Sequence, residues 1–371
     1  MRVIFPKRLG RRFILPFLAC ALAAASPGLA QQGASFEELA ANAAAARDHG
    51  NISQAIDLYT QATQLKPDWQ EGWWYLTLLQ YDRNLYGGAI DAATHLLQLS
   101  PQAVPAMALR GLSEFEIGNY AASLNDLDTA VKHGAAQDPR NEPIVRYHLA
   151  LALTKASRFD EALLQYYSFA QKGSSNPEML VAIGLAGLRI PSLPNEVSPE
   201  SRQIIGEAGA AGFDMLADHS VDADEKFRAL FARYPTAPNL HLFYGFMLFS
   251  HDADLAAEQF KAEVEVAPQN NAARALLAYA LVIAGRYAEA LPEAEKVYAA
   301  DPDLQTGQIA LGRALGETGQ IDRGVALLKK VIENDSNNLD AHIGLATLLG
   351  RAGKREEAYR ERMLCLALSQ K

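Results

Sequence analysis

The sequence predicts an all-α protein, a solenoid built from helix pairs laid one against the next. Three observations predict it. Prolines and small residues recur every 34 residues through four clean rows, Phe36 to Trp69, Gln70 to Ala103, Asn271 to Leu304 and Gln305 to Asn338. Within each half-row leucines and aromatics fall at i, i+3 and i+4, the spacing of one helix face. A glycine separates the halves, as in Ile117-Gly118-Asn119-Tyr120 and Ala284-Gly285-Arg286-Tyr287, where a left-handed turn closes the first helix.

The chain opens with a segment that stands outside this pattern. Residues 1–30 have the three-part layout of a cleaved secretory signal: basic Arg2, Lys7, Arg8, Arg11 and Arg12, an apolar stretch from Phe13 to Ala25, and Gly28-Leu29-Ala30 before Gln31. The apolar stretch is shorter than the ~20 residues of a spanning helix. The expectation is export, to the periplasm or beyond the cell. Two variants stay open: Arg11-Arg12 is like a twin-arginine signal, and Phe17-Leu18-Ala19-Cys20 is like a lipobox, in which case Cys20 carries lipid and tethers a lipoprotein to a membrane.

Five of the 34 basic residues lie in that leader, which leaves 29 against 43 acidic ones, a formal charge of −14. Such a balance argues against nucleic acid as a partner. Of the two cysteines only Cys365 stays with the mature chain, so no intramolecular disulfide is expected and packing alone must hold the fold.

In the second row Trp73, Leu76, Tyr86, Ala89 and Pro101 occupy recurring slots, and in the seventh Leu277, Ala278, Gly285, Tyr287, Ala290 and Pro302 do so. These residues resemble the tetratricopeptide repeat family. The resemblance implies a right-handed superhelical α-solenoid of about eight to nine helix-turn-helix units, with an irregular helical insertion in the middle. Each slot has a physical reason. A small residue early in the second helix (Ala55, Ala89, Ser123, Ala162, Ala290, Ala358) lets two helices approach closely, and proline after the second helix (Pro67, Pro101, Pro268, Pro302) starts the next unit.

The register breaks twice. Gly134 to Glu142 adds a few residues after the third row, and Pro191 to Pro199 (PSLPNEVSP) cannot be helical throughout, given its three prolines. Two helices follow, about Glu200 to Ala217 and Asp222 to Arg233. The expected organisation is therefore a leader (1–30), an N-terminal block of about four repeats (31–175), an irregular repeat with a proline-rich loop and extra helices (176–237), and a C-terminal block of about four repeats (238–371).

Motifs for catalysis are missing from the sequence. Gly184-Leu185-Ala186-Gly187 and Gly206-Glu207-Ala208-Gly209 lie inside helical patterns, where small residues serve close packing rather than phosphate binding. The eight histidines are scattered singly, without metal-ligand spacing. Carboxylate pairs such as Glu37-Glu38 sit at helix starts, which the helix dipole explains. Cys365 falls on a core slot as an inert thiol. The expectation is a protein without catalysis, metal or cofactor.

The resemblance also implies a ligand site, because first helices of this family line a concave groove that receives peptides. Transferred position by position, the groove presents Trp74, Tyr75, Leu78 and Tyr81, then Leu109, Leu112 and Phe115, then Tyr147 and His148. Farther on come Leu242, Phe243, Phe246, Phe249 and Tyr279. Aromatic rings give large contact area at low rotamer cost. The same residues also suit inter-repeat core, and Leu240 to Phe249 is apolar almost all round. The family's carboxylate clamp is not evident, since its positions hold Ala40, Ala44, Tyr75 and Leu109. The expected function is a scaffold that binds a protein or peptide in this groove. The alternative is a structural subunit of a cell-envelope secretion, outer-membrane assembly or polysaccharide export machine.

All three tryptophans fall within Asp68 to Tyr75. The register puts Trp69 at a junction, Trp73 in the core and Trp74 about 100° away, on the groove side.

Overall fold

The computed structural model describes residues 34–135 and 140–369. The leader with Cys20, and part of the Gly134 to Glu142 insertion, lie outside the described residues. Nineteen α-helices run in order, most of them in consecutive repeats: α1 (Phe36–Asp48) and α2 (Ile52–Leu65), α3 (Gln70–Asp82) and α4 (Tyr86–Leu99), α5 (Val104–Glu116) and α6 (Tyr120–Lys132), α7 (Glu142–Lys155) and α8 (Phe159–Gln171). The helix α9 (Pro177–Gly187) stands alone. After it come α10 (Pro199–Leu216) and α11 (Ser220–Arg233), α12 (Leu240–Leu248) and α13 (Ala253–Val266), α14 (Asn271–Ile283) and α15 (Tyr287–Ala300), α16 (Gln305–Glu317) and α17 (Ile321–Asn334), α18 (Leu339–Arg351) and α19 (Arg355–Leu368). No strand occurs among the described residues. The chain forms two compact units, Met1–Ala152 and Leu153–Lys371, each an α-solenoid stack.

The turn inside a repeat follows one rule. Eight repeats join their helices by three residues, the middle one left-handed: Gly50, Asn84, Gly118, Ser157, Asp218, Gly285, Gly319 and Gly353, with φ from 59° to 100°. A Cβ is costly in that conformation, which is why glycine dominates and why Asn and Asp are the usual substitutes. Ser157 has neither advantage. The repeat of α12 and α13 departs from the rule with a four-residue link, and Asp252 caps α13 by accepting the Leu255 N–H at 2.9 Å.

Two columns of side chains hold the second helices in place. The fourth residue of each is small and buried: Ala55, Ala89, Ser123, Ala162, Ala223, Ala256, Ala290, Gly324 and Ala358. The eighth is the residue through which one repeat meets the next. Leu328 shows how, since a methyl group on Gly312 of its own first helix would lie 2.9 Å from its Cγ, and one on Gly344 of the following first helix 3.1 Å from its Cδ1. The equivalents Tyr59, Ala93, Leu127, Tyr166, Phe227, Phe260 and Ala294 are all buried, whereas Arg362 on α19 is exposed.

These markers also place the irregular region. Asp218, Ala223 and Phe227 occupy the turn, small-residue and column positions, so α10 and α11 make a repeat and α9 is the extra helix. Its contact with α10 is made by backbone. A Cβ on Gly184 would lie 1.9 Å from the Ile205 carbonyl oxygen, and one on Gly209 1.7 Å from that of Leu180. The glycines thus serve close packing, as their place inside helical patterns predicts. The proline-rich loop contains a single 3-10 turn, Pro194–Glu196, held by Arg202 donating to the Pro194 carbonyl at 2.7 Å and by Lys155 donating to Glu196 at 3.1 Å.

Ala89→Leu should overpack the contact of α3 with α4 and lower stability by about 1–3 kcal/mol in denaturant unfolding. Ser157→Gly should remove the left-handed strain and raise stability by up to ~1 kcal/mol, seen as a higher unfolding midpoint.

Candidate functional site

The aromatic residues expected in a groove fall into two groups with different surroundings. In the first unit Trp74, Tyr75, Leu78 and Tyr81 on α3, Phe115 on α5, and Tyr147 and His148 on α7 are all half-buried. Leu112 is buried and belongs to the packing beneath them. In the second unit Phe243 is 1% exposed and wedged where neither Gly187 nor Gly212 could bear a side chain, since a Cβ there would meet its ring at 2.2 and 2.3 Å. Tyr279 is buried as well, and Phe249 stacks on it at 5.6 Å. Phe246 is half-buried and faces the chain's own Arg189, whose guanidinium lies 5.8 Å from its ring, 5.6 Å from that of Phe159, and 2.7 Å from Asp160. The rings of the second unit therefore answer one another or internal partners. Phe243 and Tyr279 are core, because a side chain closed over by its neighbours has no surface left to offer.

The first unit is different, and its tryptophans show how. Trp69 meets Phe36 edge-on at 5.1 Å and stacks on Tyr59 at 5.7 Å, so the junction residue is itself a packing element. The Trp73 indole donates to the Pro67 carbonyl at 2.8 Å and its ring stacks on His95 at 4.4 Å. Trp74 packs along Leu96, Leu97 and Ala106, and its indole N–H has no hydrogen-bond partner among the described residues.

Beside Trp74 runs a stack of rings. Tyr75 lies 5.4 Å from Tyr59, and the Arg47 guanidinium sits 3.9 Å over the Tyr75 ring while donating to the Tyr59 hydroxyl at 3.0 Å. Burial pushes the Tyr59 phenol up to about 12, against the pull of Arg47. Arg47 also pairs with Asp48 at 2.9 Å, so this cation is fully engaged.

A second cluster gathers residues from five helices, α3 to α7, around Glu116. Tyr81 meets Tyr86 edge-on at 5.9 Å, Phe115 meets Tyr120 and His148 at 5.2 and 5.0 Å, and His148 Nε2 lies 3.9 Å from the Glu116 carboxylate. Burial first, and the negative charge of Glu116 second, hold the Tyr81 phenol protonated well above its usual range. Burial lowers the affinity of His148 for a proton, although its bond to the Ile144 carbonyl and the nearby Glu116 oppose this. The cluster thus presents rings, a neutral imidazole and one carboxylate.

Arg47 and Glu116 were not among the residues the sequence singled out, and Tyr86 was marked there only as a repeat slot. A signal for Glu116 is present all the same, because Asp48, Asp82 and Glu116 are each 34 residues apart and each end a first helix. Among the described residues no three of His, Cys, Asp and Glu could together hold a metal ion, and no helix is long and apolar enough to cross a membrane. Cys365 is only partly buried, and burial followed by the charge of Glu361 raises its thiol pKa, which disfavours the reactive thiolate.

A histidine with lowered proton affinity stabilises the fold only while neutral. Between its folded value and the unfolded value of about 6.5, the unfolded chain binds more protons, so stability should fall as pH drops below about 6.5. His148→Gln should flatten that part of the pH profile of thermal unfolding.

Residues 41–104, 109–177 and 248–304, just over half of the chain, match the sequence profile of the tetratricopeptide repeat. Solved structures with some likeness include MamA AMB-1, at 21% identity over 44% of this chain and 98% of that chain with a TM-score of 0.37. Another is YrrB, described as a TPR protein with an unusual peptide-binding site, at 15% identity over 46% of this chain and 90% of that chain with a TM-score of 0.37. Likenesses this distant carry no argument, and no curated protein matches the chain. The profile match and the repeated turn and column residues lead to one conclusion: the chain belongs to the tetratricopeptide repeat family.

Proposed function

We propose that the protein is a non-catalytic scaffold that holds a peptide or partner protein against the half-buried aromatic face of α3, α5 and α7. The observation that carries this reading is the contrast between the units. In the second, the rings predicted for the groove close on one another or on Arg189. In the first, Trp74, Leu78, Tyr81 and Phe115 keep part of their surface, and the Trp74 N–H has no partner within the described chain. Half-exposed aromatics side by side on rigid helices are the kind of surface that supplies binding anchors. The basic and apolar leader of residues 1–30 supports action outside the cytoplasm.

A photo-crosslinking residue at Leu78 should capture the partner in cells, and one at Tyr167, exposed on α8, should not. Equal capture at both would sink the assignment. Trp74→Ala should reduce partner recovery with a small change in melting temperature. Trp73→Ala, which loses the Pro67 bond and the His95 stack, should cost about 3 kcal/mol of stability. N-terminal sequencing of the purified protein should begin at Gln31, and a chain beginning at Met1 or Cys20 would contradict a conventional cleaved signal.

A further inference from the structure

Acids recur along the aromatic face. Asp48, Asp82 and Glu116 are the last residues of α1, α3 and α5, and all three are exposed. A carboxylate at that end of a helix opposes the helix dipole, so helix stability does not account for three in register. The first is answered internally, since Arg47 pairs with Asp48 and lies over the Tyr75 ring. That arrangement shows what fits this surface: a cation on a tyrosine face beside an acid.

The other two acids have no such answer. Neither Asp82 nor Glu116 forms an ion pair with a lysine or arginine among the described residues, and Glu116 meets only His148, at 3.9 Å. Arg83, which directly follows Asp82, is exposed and forms no ion pair among the described residues, while two cations of the next repeat are engaged. Arg110 grips Asp126 through two bonds of 2.6 and 2.9 Å, and Lys132 holds Asp128 at 2.8 Å. Glu116 stands within electrostatic reach of the phenols of both Tyr81 and Tyr86, whose rings meet edge-on.

We propose that this face selects a peptide segment carrying a basic side chain, set against the rings of Tyr81 and Tyr86 and paired with Glu116, with Asp82 on the rim. The proposal rests on the peptide-holding reading above and adds the chemistry of the ligand. A cation is attracted to the ring faces as well as to the carboxylate, and apolar neighbours in the same peptide would cover Leu78 and Trp74.

The test uses the full chain and two capped ten-residue peptides, one of alternating leucine and arginine, the other with glutamate in place of arginine. Titration calorimetry should show the arginine peptide binding at least about tenfold more tightly than the glutamate peptide, with Glu116→Gln weakening it about fivefold and added salt weakening it further. Glu333→Gln, an exposed acid on α17, is the control for the diffuse charge of the whole chain and should leave the affinity unchanged. Equal binding of the two peptides, binding of neither, or an equal loss in Glu333→Gln and Glu116→Gln overturns the proposal. If Tyr81→Ala weakens both peptides while Glu116→Gln weakens neither, the face holds peptides without a charge preference, and only the present inference fails. Circular dichroism confirms that each variant keeps its helix content.

Discussion

The contact on which the rest of the structure depends is made by one side chain per repeat, the eighth residue of the second helix. Leu328 touches its own first helix at Gly312 and the next one at Gly344, so a single leucine sets both the closeness of a pair and the spacing between pairs. Helices placed this way can bury one stripe each and still leave another uncovered. Because each repeat touches chiefly its neighbours, stability accumulates repeat by repeat instead of around one centre. The uncovered stripe is where function can be written without disturbing the packing.

That division explains which positions could be read from the sequence. The column and small-residue positions are dictated by backbone approach, and a handful of residue types satisfy them, so Ala55, Ala89, Ala162, Ala290 and Ala358 are visible as a pattern. The turn was legible where glycine fills it. It was less so at Asn84, Ser157 and Asp218, where the same left-handed backbone is adopted by residues that sequence alone does not mark. The extra helix α9 was hidden for a similar reason: its residues look like those of any first helix, and only Asp218, Ala223 and Phe227 downstream show where the next true repeat lies.

Site residues are harder, because an aromatic ring can serve as filling or as surface. Phe243 and Tyr81 both sit on the inner side of a first helix by register. One is sealed between α9, α10 and α11 because glycines at 187 and 212 make room for it. The other stays half-buried, with Tyr86 meeting it edge-on. No property of Phe243 itself distinguishes the two cases; the partners do. The acidic residues were passed over for the opposite reason, since a lone carboxylate at a helix end draws no notice until its equivalents at intervals of 34 are lined up with it.

The hairpin of α9 and α10 is made largely of backbone, an arrangement that recurs where Gly324 of α17 lies against the Gly312 carbonyl of α16. At most other joints helices meet through leucines, alanines and rings, which can change rotamer, trade volume with a neighbour, or drift over evolutionary time while the pair survives. At Gly184 and Gly209 main chain rests on main chain, and no side chain stands between to absorb an adjustment. Such a joint loses almost no rotamer entropy on forming and has no alternative packing to fall into. It behaves as a weld in a structure assembled mostly from adjustable parts, so this stretch can be kept or lost but hardly remodelled.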